Sequence, residues 1–271
     1  MLIDNLLSQF ADDSDNEAII SDDGSYCYGD ILKSIHHWQH ILRKHDIQSG
    51  NVVALIGDYS AESICLILAL IQNKNIILPA STVAMENISR YLTITQAQTV
   101  INLTGDGEYT ISKIKAHPEE HKLLKTLIDK GHSGFILLTS GSTGEPKAVV
   151  HDFERLALKY RKATKRYRTL CFLLFDHIAG IDTYFYSLFS GGAVAFPLVK
   201  HPVVKQPATR HPATICRLIE KHQLEVLSTP LLLVCQHVCL LLSALCLVVM
   251  SVCKSTLFEV DAHTSRHVRT V

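Results

Sequence analysis

The chain has 271 residues, 47% of them hydrophobic, which is enough to bury a sizeable core without disulfide bonds. Its 26 basic and 26 acidic residues balance, so no overall field favours nucleic acid or a membrane surface. The acidic N-terminal stretch lacks the basic and apolar regions of a secretory signal, and the eight cysteines form no C-x-x-C pair. A reduced, cytoplasmic setting is the simple interpretation.

Apolar strands and helices alternate along the first part of the chain. The spacing of apolar residues predicts an amphipathic helix over 31–45 and a helix over 60–71 that is apolar nearly all round and therefore buried. Short apolar runs predict strands at 51–57, 75–79 and 99–103. This alternation predicts an α/β fold, with a doubly wound, mostly parallel sheet flanked by helices.

A loop rich in glycine and hydroxyl side chains separates two apolar runs in residues 134–151. Glycines let the backbone approach a ligand, and successive backbone N–H groups in such turns can bind an anion. A following lysine supplies a compact positive charge. The spacing matches neither the P-loop of NTPases nor a dinucleotide fingerprint. The pattern predicts a phosphate-binding loop whose lysine lies on a strand or hairpin arm; the alternative is a surface hairpin with an incidental lysine. The residues concerned are Thr139, Ser140, Gly141, Ser142, Thr143, Gly144 and Lys147.

The segment from Thr139 to Val149 resembles the phosphate-binding motif of the adenylate-forming superfamily. That superfamily includes acyl-CoA synthetases, luciferases and the adenylation domains of peptide synthetases. The resemblance implies that this loop binds the β- and γ-phosphates of ATP, with Mg²⁺, and that Lys147 balances their charge. It also implies a carboxylic acid substrate, and the thiol of coenzyme A or of a carrier protein as acceptor of the acyl group.

A second segment carries a weaker resemblance to the same superfamily. A strand predicted over 169–175 leads into Asp176 and His177, followed by a helix predicted over 182–190 and a Gly-Gly pair before the next strand. The resemblance implies that His177 and Gly180 border the acid-binding pocket. A loop histidine with no binding role is the alternative for His177.

Residues 152–168 are strongly basic. One interpretation is a surface for an acidic partner, such as the phosphopantetheine arm of a carrier or coenzyme A. The favoured interpretation is the exposed outer face of a helix. Nucleic acid is not indicated, because the basic and acidic residues of the whole chain balance.

The last part of the chain differs from the rest in composition. No glycine follows Gly192, and residues 231–250 form an uncharged apolar run long enough to span a bilayer as a helix. We therefore divide the chain into a partial adenylate-forming N-terminal domain, residues 1–228, and a tail, residues 229–271. Three interpretations of the tail stay open: an aberrant or frameshifted sequence, a buried helix, or a membrane anchor.

The functional prediction is an ATP-dependent, carboxylate-activating ligase in truncated form. The superfamily's adenine-stacking segment, magnesium ligand and catalytic lysine are not found in this sequence, so no catalytic residue is assigned. Two alternatives are a catalytically inactive nucleotide-binding remnant and an accessory protein anchored in a membrane through residues 231–250.

Overall fold

The computed structural model describes residues 1–21, 24–104, 107–115, 121–140, 146–171, 173–196 and 212–229, with three further strands at 248–251, 256–259 and 269–270. The helices are α1 (Leu2–Asp12), α2 (Tyr28–Lys44), α3 (Ala61–Gln72), α4 (Ile88–Thr95), α5 (Lys122–Lys130), α6 (Phe153–Ala157), α7 (Ile178–Phe189) and α8 (Pro212–His222), with 3₁₀ helices at Thr82–Asn87 and Leu158–Lys162. The strands are β1 (Glu17–Ser21), β2 (Gly24–Cys27), β3 (Val52–Ile56), β4 (Ile76–Ala80), β5 (Thr99–Leu103), β6 (Tyr109–Lys113), β7 (Gly134–Ser140), β8 (Pro146–Asp152), β9 (Arg168–Cys171), β10 (Ala193–Ala195), β11 (Val226–Thr229), β12 (Val248–Ser251), β13 (Thr256–Glu259) and β14 (Arg269–Thr270).

The predicted α/β class is confirmed, and the described strands divide between two mixed sheets instead of one. The six-stranded sheet has the order β6-β5-β3-β4-β7-β8, with parallel pairing from β5 to β7 and antiparallel strands at both edges. The eight-stranded sheet has the order β14-β13-β12-β11-β9-β10-β1-β2, and its parallel part runs from β12 to β1. Parallel strands therefore form the centre of each sheet.

A shared layer of helices lies between the two sheets. Alternation along β3 shows this arrangement, because successive strand residues point to opposite faces. Val53 and Leu55 join the central core with residues of α1, α2, α3 and α7. Val52, Ala54 and Ile56 face the other way and pack with residues of α5. Residues of α8 cover the outer face of the eight-stranded sheet, which gives a layered α/β/α/β/α architecture.

Helix α3 lies in the middle of this central layer, and its predicted burial is confirmed. Its residues from Ser63 to Ile71 are all buried. The helix begins with a reciprocal cap, in which the Ser63 backbone N–H donates to the Ser60 hydroxyl oxygen (3.0 Å) and the Ser60 N–H donates to the Ser63 hydroxyl oxygen (2.9 Å). A helix with sheets on both sides has no solvent face, which explains its apolar sequence.

The segment between β9 and α7 differs from the prediction. The strand predicted over 169–175 ends at Cys171, and the helix predicted from 182 already begins at Ile178. Leu173 and Phe175 are buried although they lie in a loop. These residues are apolar because they are buried in the core. In the sequence, a run of buried apolar loop residues looks the same as the continuation of a strand.

The structure bears only in part on the predicted tail. The proposed boundary at residue 228 falls within β11, and β12 pairs with β11 in parallel. Most of the apolar run 231–250 lies outside the described residues; its last three residues belong to β12, so a helix does not extend over them. Among the helices that the structure describes, none combines the length and the hydropathy needed to cross a membrane.

Candidate functional site

The predicted phosphate loop connects the two arms of the β7–β8 hairpin. The antiparallel register pairs Thr139 with Lys147 and Ser140 with Pro146, and the Thr139 hydroxyl donates to the Lys147 carbonyl oxygen at 3.3 Å. The prediction that the lysine lies on a hairpin arm is confirmed. The remaining predicted loop residues, Gly141, Ser142, Thr143 and Gly144, lie outside the described residues.

The side chains of Thr139 and Lys147 lie on the side of the hairpin that faces the central helix layer. Along β7, Phe135 and Leu137 pack in the central core, and Thr139 follows on the same face. Cross-strand partners share a face, so Lys147 points to that side as well. Both residues are exposed. The Lys147 ammonium is therefore available where the hairpin loop begins and suits phosphate oxygens, and the Thr139 hydroxyl lies beside it, donating to the Lys147 carbonyl oxygen.

Two aspartates that follow parallel strands bind the residues immediately after β4. Asp58 follows β3 and accepts hydrogen bonds from the Thr82 N–H (3.1 Å) and the Thr82 hydroxyl (2.6 Å). Asp176, which follows β9 in the other sheet, accepts hydrogen bonds from the N–H (3.1 Å) and hydroxyl of Ser81. These contacts bring the carboxyl-terminal edges of the two sheets together, where ligands bind in α/β folds.

His177 lies at this meeting point, at the start of α7. Its carbonyl oxygen accepts hydrogen bonds from the N–H groups of Gly180 (3.0 Å) and Ile181 (3.1 Å). Its imidazole is 64% exposed, with Nε2 3.7 Å from Oδ1 of Asp176. His177 therefore caps a helix and does not directly follow a strand; its ring is accessible to a ligand, and its role at an acid pocket stays a prediction.

Gly180 is buried against the loop that precedes α7. A Cβ atom at this position would overlap the Leu174 carbonyl oxygen and lie 2.6 Å from the Tyr59 hydroxyl. Only glycine leaves room for this close approach of helix and loop. This packing alone accounts for a glycine at position 180. It does not test the prediction that Gly180 borders the acid-binding pocket.

Tyr59 is the centre of an aromatic cluster beneath these loops. Its ring stacks on Phe196 (4.3 Å between centroids) and lies 5.5 Å from the ring of Phe175. The thiol of Cys171 lies 3.7 Å from the Tyr59 hydroxyl, and burial raises the pKa of that thiol to about 12. Cys171 is therefore a neutral core residue and not an activated nucleophile.

The Gly-Gly pair lies far from His177, at the opposite end of α7. A helix of 12 residues is about 18 Å long, so this length of helix separates His177 from Gly191 and Gly192, which directly precede β10. Gly191 has a φ of +71°, and the Gly192 carbonyl oxygen accepts a hydrogen bond of 2.6 Å from the Tyr28 hydroxyl. The pair shapes a turn and a buried contact at the other edge of the sheet.

The basic segment 152–168 does not form the single helix that the favoured interpretation assumed. Residues Phe153–Ala157 are α-helical, Leu158–Lys162 form a 3₁₀ helix, and residues 163–167 are irregular. Several of its cations are bonded to distant carboxylates, because they join elements packed around α7 and β1. The pairs are Lys159 with Asp182, Arg166 with Asp13 and Arg168 with Glu17.

Sequence reasoning missed Asp58, Ser81 and Thr82. The available signal was weak: polar residues within two positions of the ends of two buried parallel strands, at the edge where ligands bind. Among the described residues, no group of three carboxylate, histidine or cysteine side chains is placed to hold a metal ion. Mg²⁺ commonly keeps several waters and binds through substrate phosphates with one or two carboxylates, so its ligands at such a site would come largely from the nucleotide.

Comparisons with known proteins identify the family to which the chain is similar. A family model described as AMP-binding enzyme matches residues 7–233. The nonribosomal peptide synthetase notE' of Aspergillus versicolor is 24% identical over 218 residues, which cover 72% of this chain and 10% of that protein. Apicidin F synthase of Gibberella fujikuroi is 26% identical over 205 residues, covering 66% of this chain and 4% of that protein. The chain thus spans a tenth or less of the length of these curated relatives.

Solved structures show the same fold. The N-terminal subdomain of Klebsiella oxytoca NpsA, in complex with 3-hydroxyanthranilyl-AMSN, matches with a TM-score of 0.64 and 18% identity, over 83% of this chain and 59% of that one. The N-terminal domain of FACL13 from Mycobacterium tuberculosis matches with a TM-score of 0.65 and 20% identity, over 86% of this chain and 63% of that one.

Proposed function

Because this chain belongs to the AMP-binding enzyme family, we propose that it binds the phosphates of ATP at the β7–β8 hairpin and activates a carboxylic acid by adenylation. The observation that carries the proposal is the register that pairs Thr139 with Lys147. It places a positive charge and the Thr139 hydroxyl together at the mouth of the phosphate loop, on the side that faces the central helix layer.

The proposed reaction joins the acid to the nucleotide. A carboxylate oxygen of the acid attacks the α-phosphorus of ATP, the bond to the β-phosphate oxygen breaks, and pyrophosphate leaves. Lys147 balances the negative charge of the β- and γ-phosphates. The loop residues add hydrogen-bond donors, and Thr139 joins them by turning its hydroxyl from the Lys147 carbonyl oxygen to a phosphate oxygen. Such groups act by positioning and by electrostatic stabilisation of charge that develops in the transition state. Mg²⁺ bound with the phosphates would supply further charge neutralisation.

The acid is proposed to lie at the His177 side of this edge, with Gly180 in the first turn of α7. A thiol then takes the acyl group and releases AMP. A carrier-protein thiol is the favoured acceptor, because the relatives are peptide synthetases and one structural neighbour is an adenylation–PCP fusion of NpsA with ThdA. Coenzyme A is the other acceptor class.

ATP–pyrophosphate exchange tests the activity directly. The 271-residue chain is incubated with Mg²⁺, ATP, labelled pyrophosphate and one acid from a panel of amino acids, aryl acids and fatty acids. The proposal expects label to enter ATP with at least one class of acid and not without acid. The responding class would also identify the substrate chemistry.

Two outcomes would contradict the proposed activity. ATP binding without exchange for any acid would indicate the inactive nucleotide-binding remnant. Exchange that is equally fast without added acid would show that the acid is not a reactant. A chain with Lys33→Ala, a change on the exposed face of α2, serves as a control that should match the wild type.

A further inference from the structure

The loop after β4 is held by two carboxylates that make the same kind of contact. Asp58 binds the backbone N–H and hydroxyl of Thr82, and Asp176 binds the backbone N–H and hydroxyl of Ser81. Each is a pair of charge-assisted hydrogen bonds, which are shorter and stronger than neutral ones. The two aspartates thus fix consecutive residues at the start of the 3₁₀ helix Thr82–Asn87.

The two contacts differ in what they connect. Asp58 follows β3, so its bond to Thr82 joins two loops of the same sheet. Asp176 follows β9 of the eight-stranded sheet, so its bond to Ser81 joins the two sheets. Ser81 is only 1% exposed, so water does not compete strongly for this contact, and electrostatic attraction is stronger in such a setting.

The contact between Asp176 and Ser81 lies between the two halves of the proposed active site. On one side, β4 pairs in parallel with β7, which leads to Thr139 and the phosphate loop. On the other side, Asp176 is followed directly by His177, which caps α7. The Asp176 carboxylate therefore links the loop beside the hairpin to the residue that caps α7, in addition to the apolar packing of β7 on α7.

We propose that Asp176 is a positioning residue that holds His177 and the first turn of α7 in place relative to the phosphate hairpin. The proposal rests on the proposed function for its catalytic consequence. Its structural part, a clamp between the sheets, stands on the hydrogen bonds alone and can be tested without activity.

The geometry of Asp176 also predicts which substitution should be tolerated. One oxygen, Oδ2, accepts both bonds from Ser81. The other, Oδ1, is buried without a hydrogen-bond partner among the described residues, and Nε2 of His177 lies 3.7 Å from it. An asparagine can present its oxygen to Ser81 and its amide nitrogen toward His177. Asp176→Asn should therefore retain the clamp, and Asp176→Ala should lose it.

Amide hydrogen exchange of the full chain tests the clamp. In Asp176→Ala, exchange should become about tenfold faster at the Ser81 amide, as expected for loss of a charge-assisted bond, and faster at Gly180 and Ile181. Asp176→Asn should stay close to the wild type. Asp58→Ala is the matched control, because it removes an equivalent pair of bonds within one sheet; it should affect Thr82 and leave α7 unchanged.

The clamp is contradicted if Asp176→Ala leaves α7 protected, or if Asp58→Ala affects α7 equally. Should Asp176→Ala not fold, Ser81→Ala replaces it, because it removes one of the two hydrogen bonds. Unchanged amide exchange at position 81 and at Gly180 and Ile181 would then reject the clamp.

Steady-state kinetics test the positioning role. In pyrophosphate exchange, Asp176→Ala should raise the KM for the acid about tenfold or more with little change in the KM for ATP, and Asp176→Asn should restore it. Equal effects on both substrates would contradict positioning of the acid side. Absence of exchange in the wild type would reject the proposed function, and the amide data would still decide the clamp.

Discussion

The packing around Gly180 makes a direct prediction at the scale of one residue. Replacement with alanine would force Cβ against the Leu174 carbonyl oxygen and the Tyr59 hydroxyl. Both groups belong to the buried contact between α7 and the preceding loop, so the clash cannot be relieved by a flexible side chain alone. We expect Gly180→Ala to lower the free energy of unfolding by about 1–3 kcal/mol, measured by urea denaturation. An unchanged midpoint would show that this contact is looser than described.

His151, on β8, predicts a dependence of stability on pH. Burial lowers the pKa of its half-buried imidazole below the ordinary value. As the pH falls below about 6.5, the unfolded chain takes up this proton before the folded chain does, so the free energy of unfolding decreases. The stabilisation that comes from burying the neutral imidazole of His151 is fully present above that pH.

The matching variant is His151→Gln, which should show a smaller loss of stability between about pH 7.5 and about pH 5.5. His36→Gln, at an exposed position of α2, should retain the wild-type dependence. Equal slopes for His151→Gln and the wild type would contradict the assignment.

Individual residues of the site differed in how far the sequence could predict them. Lys147 could be placed on a hairpin arm, because its loop has a local pattern of glycine and hydroxyl residues. The contact of Asp176 with Ser81 spans 95 positions, and that of Asp58 with Thr82 spans 24. No local periodicity encodes such partners, so only the folded chain reveals them.

At the scale of one element, α3 should tolerate the replacement of its large apolar side chains by alanine poorly. Leu68 is fully buried in the central layer, so Leu68→Ala leaves a cavity and should cost about 2–5 kcal/mol in the free energy of unfolding. Leu123, in α5, is 51% exposed, and Leu123→Ala should cost about 0.5 kcal/mol or less. Similar costs in denaturant titrations would contradict the central position of α3.

Element type could be predicted where the apolar pattern was strong, as for the amphipathic helix α2, the uniformly apolar helix α3 and the short apolar strand β3. The prediction failed between β9 and α7, since buried loop residues such as Phe175 resemble a strand in sequence. It also failed for the basic segment, which was interpreted as one helix. Charge alone did not show that Arg166 and Arg168 bind carboxylates at the other end of the sequence, Asp13 and Glu17.

At the scale of the whole molecule, the division into two sheets could not be read from the sequence. Alternating strands and helices predict a parallel sheet, and they do not state which strands become neighbours. The register of β1 against β10, with Ile19 opposite Val194, joins the beginning of the chain to residues far along it. Pairing over such a distance along the chain, like the contact of Asp176 with Ser81, leaves no local pattern from which it could be predicted.

The central claim is that the β7–β8 hairpin binds the phosphates of ATP through Lys147. The most direct measurement is calorimetric titration of the 271-residue chain with ATP and Mg²⁺, for the wild type, Lys147→Ala and Lys33→Ala. Loss of one charge-assisted contact should weaken binding by about 10- to 100-fold in Lys147→Ala, with Lys33→Ala matching the wild type. Equal affinity for ATP in all three proteins, or no binding by the wild type, would contradict the claim.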